Sequence, residues 1–144
     1  KLKKDKRLHE DKIKLRFVGK INLFDAEIQG LVKDLEEMTK NYNNYTINFA
    51  FAYGGRQEIL EAIKKMTEKN EEINEDNLKK NLWLSSEPDL IIRTGGEKRT
   101  SNFLPWQSAY SEWIFLDKTW PEFEKQDLIN GIDEFNERER RFGK

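Results

Sequence analysis

The chain has 144 residues, with 26 Lys plus Arg against 27 Asp plus Glu and no cysteine. Near-neutral charge removes any global attraction to nucleic acid, so an anion site must be a local cluster of cations. The lack of cysteine excludes disulfide scaffolds, thiol redox chemistry and Cys-based zinc sites. Nine Phe, four Tyr and four Trp call for a packed core, which a chain of this length can bury. No apolar run approaches the ~18 residues that span a bilayer. We therefore expect a cytoplasmic protein, with peripheral membrane contact allowed and no nucleic-acid partner. The charged opening stretch, with Lys1, Lys3, Lys4, Lys6 and Arg7, reads like the middle of a helix, and we expect a truncated or cleaved start.

Ile13, Leu15 and Phe17 alternate with Lys14 and Arg16 before Gly19, which predicts a first strand and its stop. From Phe24, apolar residues at Ile28, Leu31, Val32, Leu35 and Met38 follow the spacing of a helix with one buried face. Asn41, Asn43 and Asn44 make a turn, and Thr46 to Ala52 predicts a second strand covered on both sides, with Ile47, Phe49 and Phe51 on one face and small residues on the other. Gly54-Gly55 ends it. Ile59, Leu60, Ile63 and Met66 predict the next helix, and Asn74 to Asn77 cap a short one through Leu78 to Leu84. Leu90-Ile91-Ile92 and Trp113 to Leu116 predict two further strands. Pro121 suits a first helical turn, with Phe123, Leu128, Ile132 and Phe135 as the buried face of a last helix. Such alternation predicts an α/β protein with a mainly parallel β-sheet flanked by helices, its ligands bound beyond the carboxyl ends of the strands. His9, the one histidine, falls in a charged stretch and is expected at the surface.

The chemistry concentrates between Asp89 and Glu112. A buried strand delivers Arg93, Gly95-Gly96 let the backbone turn close to a ligand, and Lys98 and Arg99 follow, interleaved with the hydroxyls of Thr94, Thr100 and Ser101. Guanidinium forks bind phosphate oxygens in pairs while hydroxyls and amides fill the remaining acceptors. The pattern suits a phosphate or diphosphate as well as a solvated basic turn. Tyr53-Gly54-Gly55-Arg56 repeats the theme at another strand end, where a plain strand-to-helix turn is the commoner use. Glu112 stands beside the last strand; it either pairs with one of the cations or holds a divalent metal.

The run from Ile92 to Leu104, IRTGGEKRTSNFL, followed by Trp106-Gln107, Ala109-Tyr110-Ser111-Glu112 and Trp120-Pro121, resembles the cis-prenyltransferase family typified by undecaprenyl diphosphate synthase, in a version that looks like archaeal members. The likeness extends through Ile13 to Gly19, Tyr53 to Arg56 and Arg138 to Gly143. It covers essentially the whole chain, so residues 1–144 are expected to be the C-terminal portion of a single catalytic domain of that fold lacking its N-terminal part. The resemblance implies that Arg93, Arg99 and Ser101 hold the diphosphate of isopentenyl diphosphate, that Glu112 binds Mg2+, and that Arg141 and Gly143 reach across a homodimer interface towards the partner's site. It also implies an allylic co-substrate, farnesyl or geranylgeranyl diphosphate, a long cis-polyprenyl product that serves as a lipid-carrier precursor, and an apolar tunnel beside the strand Thr46 to Ala52.

The family's Asp-Gly-Asn-x-x-Arg motif, which binds the allylic diphosphate and supplies a second magnesium ligand, has no counterpart here. The catalytic residues are therefore expected outside this chain, and the fragment alone is expected to be inactive. Ala52 stands where many members carry asparagine. Two rival readings are a non-catalytic partner subunit of a heteromeric enzyme and a phosphoanion-binding α/β module. The second would call for a Walker loop or a Gly-x-Gly-x-x-Gly fingerprint, and neither is present.

Overall fold

The structure is a computed structural model that describes residues 2–138. It divides into two compact units, Lys1–Leu84 and Ser85–Lys144. Both are α/β, each built on a pair of parallel strands with helices packed against it.

In the first unit the order is α1 (Lys6–Glu10), β1 (Ile13–Gly19), α2 (Ala26–Thr39), β2 (Tyr45–Phe51), α3 (Gly55–Glu68) and α4 (Glu75–Asn81). Side chains cap the helices where the sequence offers them: Asp25 accepts from the Ile28 amide at 2.8 Å and Asn74 from the Asn77 amide at 2.9 Å. β1 and β2 pair in register from Ile13 opposite Tyr45 to Gly19 opposite Phe51. Alternation then gathers Ile13, Leu15, Phe17, Ile47 and Phe49 on one face. Leu8 of α1 and Leu35 of α2 close over Leu15, with Phe17 and Phe49 stacked at 5.0 Å. The outer edge of β1 is sealed by α2: the Leu15 amide donates to Thr39 Oγ1 at 3.0 Å and the Phe17 amide to Glu36 Oε1 at 2.8 Å. Gly19 is required where it stands, since its φ is +113° and a Cβ would lie 2.0 Å from the Phe51 carbonyl oxygen.

Two expectations for this unit change. β2 is not covered on both sides: Tyr45 is 65% and Ile47 42% exposed, because α1 and α2 pack on β1 and leave β2 largely bare. His9 is half-buried, with Nδ1 2.7 Å from the Tyr42 hydroxyl and Nε2 3.2 Å from the Lys3 carbonyl. That carbonyl only accepts, so Nε2 donates to it.

In the second unit, β3 (Leu90–Arg93) pairs parallel with β4 (Glu112–Phe115), and α5 (Lys125–Glu137) packs against β3. Of the residues expected on the buried face of the last helix, Phe123 and Phe135 are half-buried but Leu128 and Ile132 are not covered. Leu128 and Ile132 are 43% and 42% exposed. The buried residue is Gly131, whose missing side chain lets the helix approach until a Cβ would lie 3.1 Å from Ile92 Cδ1 and 3.6 Å from Ile114 Cδ1. Among the described residues, no helix is long and apolar enough to cross a membrane.

Candidate functional site

Arg93 leaves the carboxyl end of β3. The backbone beyond it stays tied to the chain after β4: the Leu116 amide donates to the Arg93 carbonyl at 2.8 Å, the Gly96 amide to Leu116 at 2.9 Å and the Gly95 amide to Lys118 at 2.8 Å. Gly95 and Gly96 have φ of 95° and 74°, left-handed values that a side chain disfavours. The turn therefore carries the following loop back towards Arg93.

That loop is held in strained conformations. Ser101, Asn102 and Leu104 have φ of 48°, 64° and 48°, and such non-glycine residues persist only where their surroundings fix them. Leu104 is buried and anchors the loop. Ser101 Oγ then accepts from Arg93 Nη1 at 3.0 Å, and the Arg99 carbonyl accepts from the same nitrogen. The result is a guanidinium whose Nη1 is held by a hydroxyl and a carbonyl. It lines a cavity of about 350 Å³ together with the polar Thr94, Thr100 and Ser101 and the apolar Ile91, Ile92, Phe103 and Trp113.

The other predicted residues fall differently. Arg99 gives its carbonyl to Arg93, while its own guanidinium pairs with Glu97 at 2.7 Å and is largely exposed. Glu112 is aligned with Leu90, at the amino end of β4, while Arg93 is aligned with Phe115 at the carboxyl end. Three residues of parallel strand separate the two levels, about 10 Å. Alternation also puts Glu112 on the face that bears Ile92 and Ile114, which α5 covers, and Arg93 on the opposite face. The Glu112 carboxylate accepts from Arg138 Nη1 at 2.7 Å, and Arg138 Nη2 donates to Glu134 at 2.5 Å. Glu112 first, then Glu134, raise the guanidinium's pKa further above its ordinary value. Arg138 was no candidate from the sequence, because a contact across 26 positions leaves no local trace. Arg141 and Gly143 lie outside the described residues.

The second Gly-Gly turn is built around an acid that sequence reasoning passed over. Glu58, in the first turn of α3, is 1% exposed. It accepts from the Leu84 amide at 2.9 Å and from the Tyr53 hydroxyl, and Tyr53 in turn meets Trp83 edge-on at 5.8 Å. Arg56 is exposed. A buried carboxylate of this kind needs donors to offset its desolvation, and here they come from a strand-end tyrosine and the chain leaving α4.

A family described as putative undecaprenyl diphosphate synthase matches residues 1–143. The chain belongs to this prenyltransferase family. It is 44% identical to a tritrans,polycis-undecaprenyl-diphosphate synthase (geranylgeranyl-diphosphate specific) of Methanocaldococcus jannaschii, over 97% of the chain and 54% of that protein. It is 43% identical to the enzyme of the same name from Thermoplasma acidophilum, over 99% of the chain and 59% of the relative. The crystal structure of a probable undecaprenyl diphosphate synthase from Campylobacter jejuni superposes with a TM-score of 0.90 at 38% identity, covering 99% of this chain and 67% of that one. Lavandulyl diphosphate synthase from Lavandula x intermedia, solved with dimethylallyl diphosphate, gives a TM-score of 0.89 at 28% identity, covering 96% of this chain and 64% of that one. The chain thus spans a little over half the length of these archaeal relatives, and its α/β fold is that of the prenyltransferase family.

Proposed function

We propose that the chain carries the isopentenyl-diphosphate half of a cis-prenyltransferase, an enzyme that condenses isopentenyl diphosphate with farnesyl or geranylgeranyl diphosphate to build a long cis-polyprenyl diphosphate. The observation that carries this reading is the Arg93 guanidinium, bonded to Ser101 Oγ at 3.0 Å in a cavity that is also lined by the apolar Ile91, Phe103 and Trp113. A diphosphate ester of a small hydrocarbon suits both kinds of group.

In the reaction, the carbon–oxygen bond of the allylic diphosphate breaks and the diphosphate departs with the electron pair. The π bond of isopentenyl diphosphate attacks the allylic carbon, and loss of a proton restores a double bond. Arg93 and Ser101 hold the nucleophilic partner so that its alkene is presented in one orientation, which removes much of the entropic barrier. The groups that meet the allylic diphosphate are assigned to the portion of the relatives that this chain does not span, so the chain alone is expected not to elongate prenyl chains.

The family reading assigns Mg2+ to Glu112. In this chain that carboxylate is shared with Arg138, and among the described residues no three His, Asp or Glu side chains come together to hold an ion. The described residues do not form a metal site by themselves. We assign the growing product to the groove of about 330 Å³ beside β2, lined by the apolar Leu8, Ile13, Ile47 and Phe49 and also by Asp5, Arg7 and Asp11. A homodimer completes the reading, with Arg141 and Gly143 of one copy serving the other's site. The exposed apolar side of α5, at Leu128, Ile129 and Ile132, supports an interface there.

Calorimetric titration with isopentenyl diphosphate tests the proposal. Arg93→Ala should weaken binding by about 1.5 to 3 kcal/mol, the value of a charged hydrogen bond, and Arg93→Lys should not restore it, because a lysine lacks the planar fork. No heat of binding to the unmodified chain, or equal affinity in Arg93→Ala, would overturn it.

A further inference from the structure

The guanidinium and hydroxyl side of the cavity explains how a diphosphate is held, yet the same groups would hold inorganic pyrophosphate or any other diphosphate ester. Selection among these must come from the other wall. Trp113 follows Glu112 by one residue and therefore projects from the opposite face of β4, the face that the register gives to Arg93 and Phe115. Its ring stacks on Phe115 at 5.8 Å with an interplanar angle of 13°, which fixes its orientation. Phe103 comes from the loop, between Asn102 and Leu104, both with positive φ. It remains 38% exposed although buried Leu104 is its neighbour. A strained segment that turns one apolar residue inward and leaves the adjacent aromatic at the mouth of a cavity is the arrangement expected at a ligand clamp.

We propose that Phe103 and Trp113 are specificity-determining residues that recognise the five-carbon group of the diphosphate ester and discriminate against diphosphates without one. This rests on the assignment of Arg93 and Ser101 to the diphosphate. The two walls act on different parts of one ligand: the cations set the affinity for the head, and the rings set the gain from the hydrocarbon. Each methylene removed from water raises affinity about fourfold. Isopentenyl diphosphate carries four more carbons than methyl diphosphate, so burying half of them against the rings gives a preference of about tenfold or more.

The test is a pair of calorimetric titrations of the chain with methyl diphosphate and isopentenyl diphosphate, repeated on Phe103→Ala and Trp113→Ala. The unmodified chain should prefer the isopentenyl ester about tenfold. Phe103→Ala should reduce that preference to within about threefold while leaving affinity for methyl diphosphate within about twofold of the original. Trp113→Ala should do the same. If loss of its stacking on Phe115 unfolds that variant, Phe103→Ala, a change in an exposed loop, decides alone. Equal affinity of the unmodified chain for the two esters, or an intact preference in Phe103→Ala, overturns the hydrocarbon wall and leaves the diphosphate assignment standing. Binding of neither ester overturns the diphosphate assignment and the wall with it.

Discussion

The pair Glu112–Arg138 decides whether the acid at the head of β4 is available to a cation in this chain, and a double-mutant cycle measures it. Arg138 lies at the end of α5, where a positive charge is favoured by the helix dipole. It bonds Glu112 at 2.7 Å and Glu134 at 2.5 Å, with side-chain exposures of 35% for Arg138 and 28% for Glu112. An exposed ion pair is worth about 0 to 1 kcal/mol, and a half-buried one in a three-member network belongs at the top of that range. Glu112→Gln and Arg138→Gln should therefore each lower unfolding stability by about 1 kcal/mol. The double variant should lose less than their sum, leaving a coupling energy of about 0.5 to 1 kcal/mol. Urea unfolding followed by tryptophan fluorescence reads all four proteins, because Trp113 adjoins Glu112. Additive losses would show that the pair is not formed in solution and that Glu112 is free to serve a cation. Strong coupling means that an ion at this carboxylate must share it with the guanidinium or displace it.

Two positive-φ positions give stability changes of opposite sign. Gly19→Ala should destabilise by more than about 2 kcal/mol in urea, since φ is +113° and the new Cβ would lie 2.0 Å from the Phe51 carbonyl; a loss below 0.5 kcal/mol would contradict the close approach. Ala52→Gly, at φ 45°, should stabilise by about 1 kcal/mol, and a loss would refute the left-handed assignment. Asp127 is held below the ordinary carboxylate range first by Lys118, which donates to it at 2.9 Å, and then by the Glu124 amide at 2.8 Å. A depressed folded-state pKa adds stability above the unfolded value of about 3.9, which is lost as pH falls through the folded one. The stability advantage of the unmodified chain over Asp127→Asn should thus be constant from pH 7 to 5 and shrink below about pH 4. An advantage independent of pH down to 2.5 would refute it.

Local physics made much of the fold legible. Alternation at Ile13 to Phe17, helical spacing from Ile28 to Met38 and the asparagine before α4 each specify their element within a few residues. Coverage was not legible in the same way. The apolar side of α5 can be read from Leu128 and Ile132, but which residue touches the sheet depends on how closely the helix approaches, and Gly131 sets that distance. β2 carries the pattern of a core strand while α1 and α2 pack on β1. At the site, Arg93, the two glycines and Ser101 announced themselves by composition. Trp113 required the register of β4 against β3, since only that pairing turns it to the side of Arg93. Arg138 and Glu58 act through partners 26 residues away, Glu112 and Leu84.

Isopentenyl diphosphate should bind with its diphosphate on Arg93 and Ser101, and a crystal structure of the chain soaked with that compound would show where it sits. Diphosphate oxygens are expected within hydrogen-bonding distance of the Arg93 guanidinium and Ser101 Oγ, with the hydrocarbon lying towards Phe103 and Trp113. A diphosphate seated elsewhere, with the Arg93 to Ser101 loop unchanged and empty, would contradict that placement.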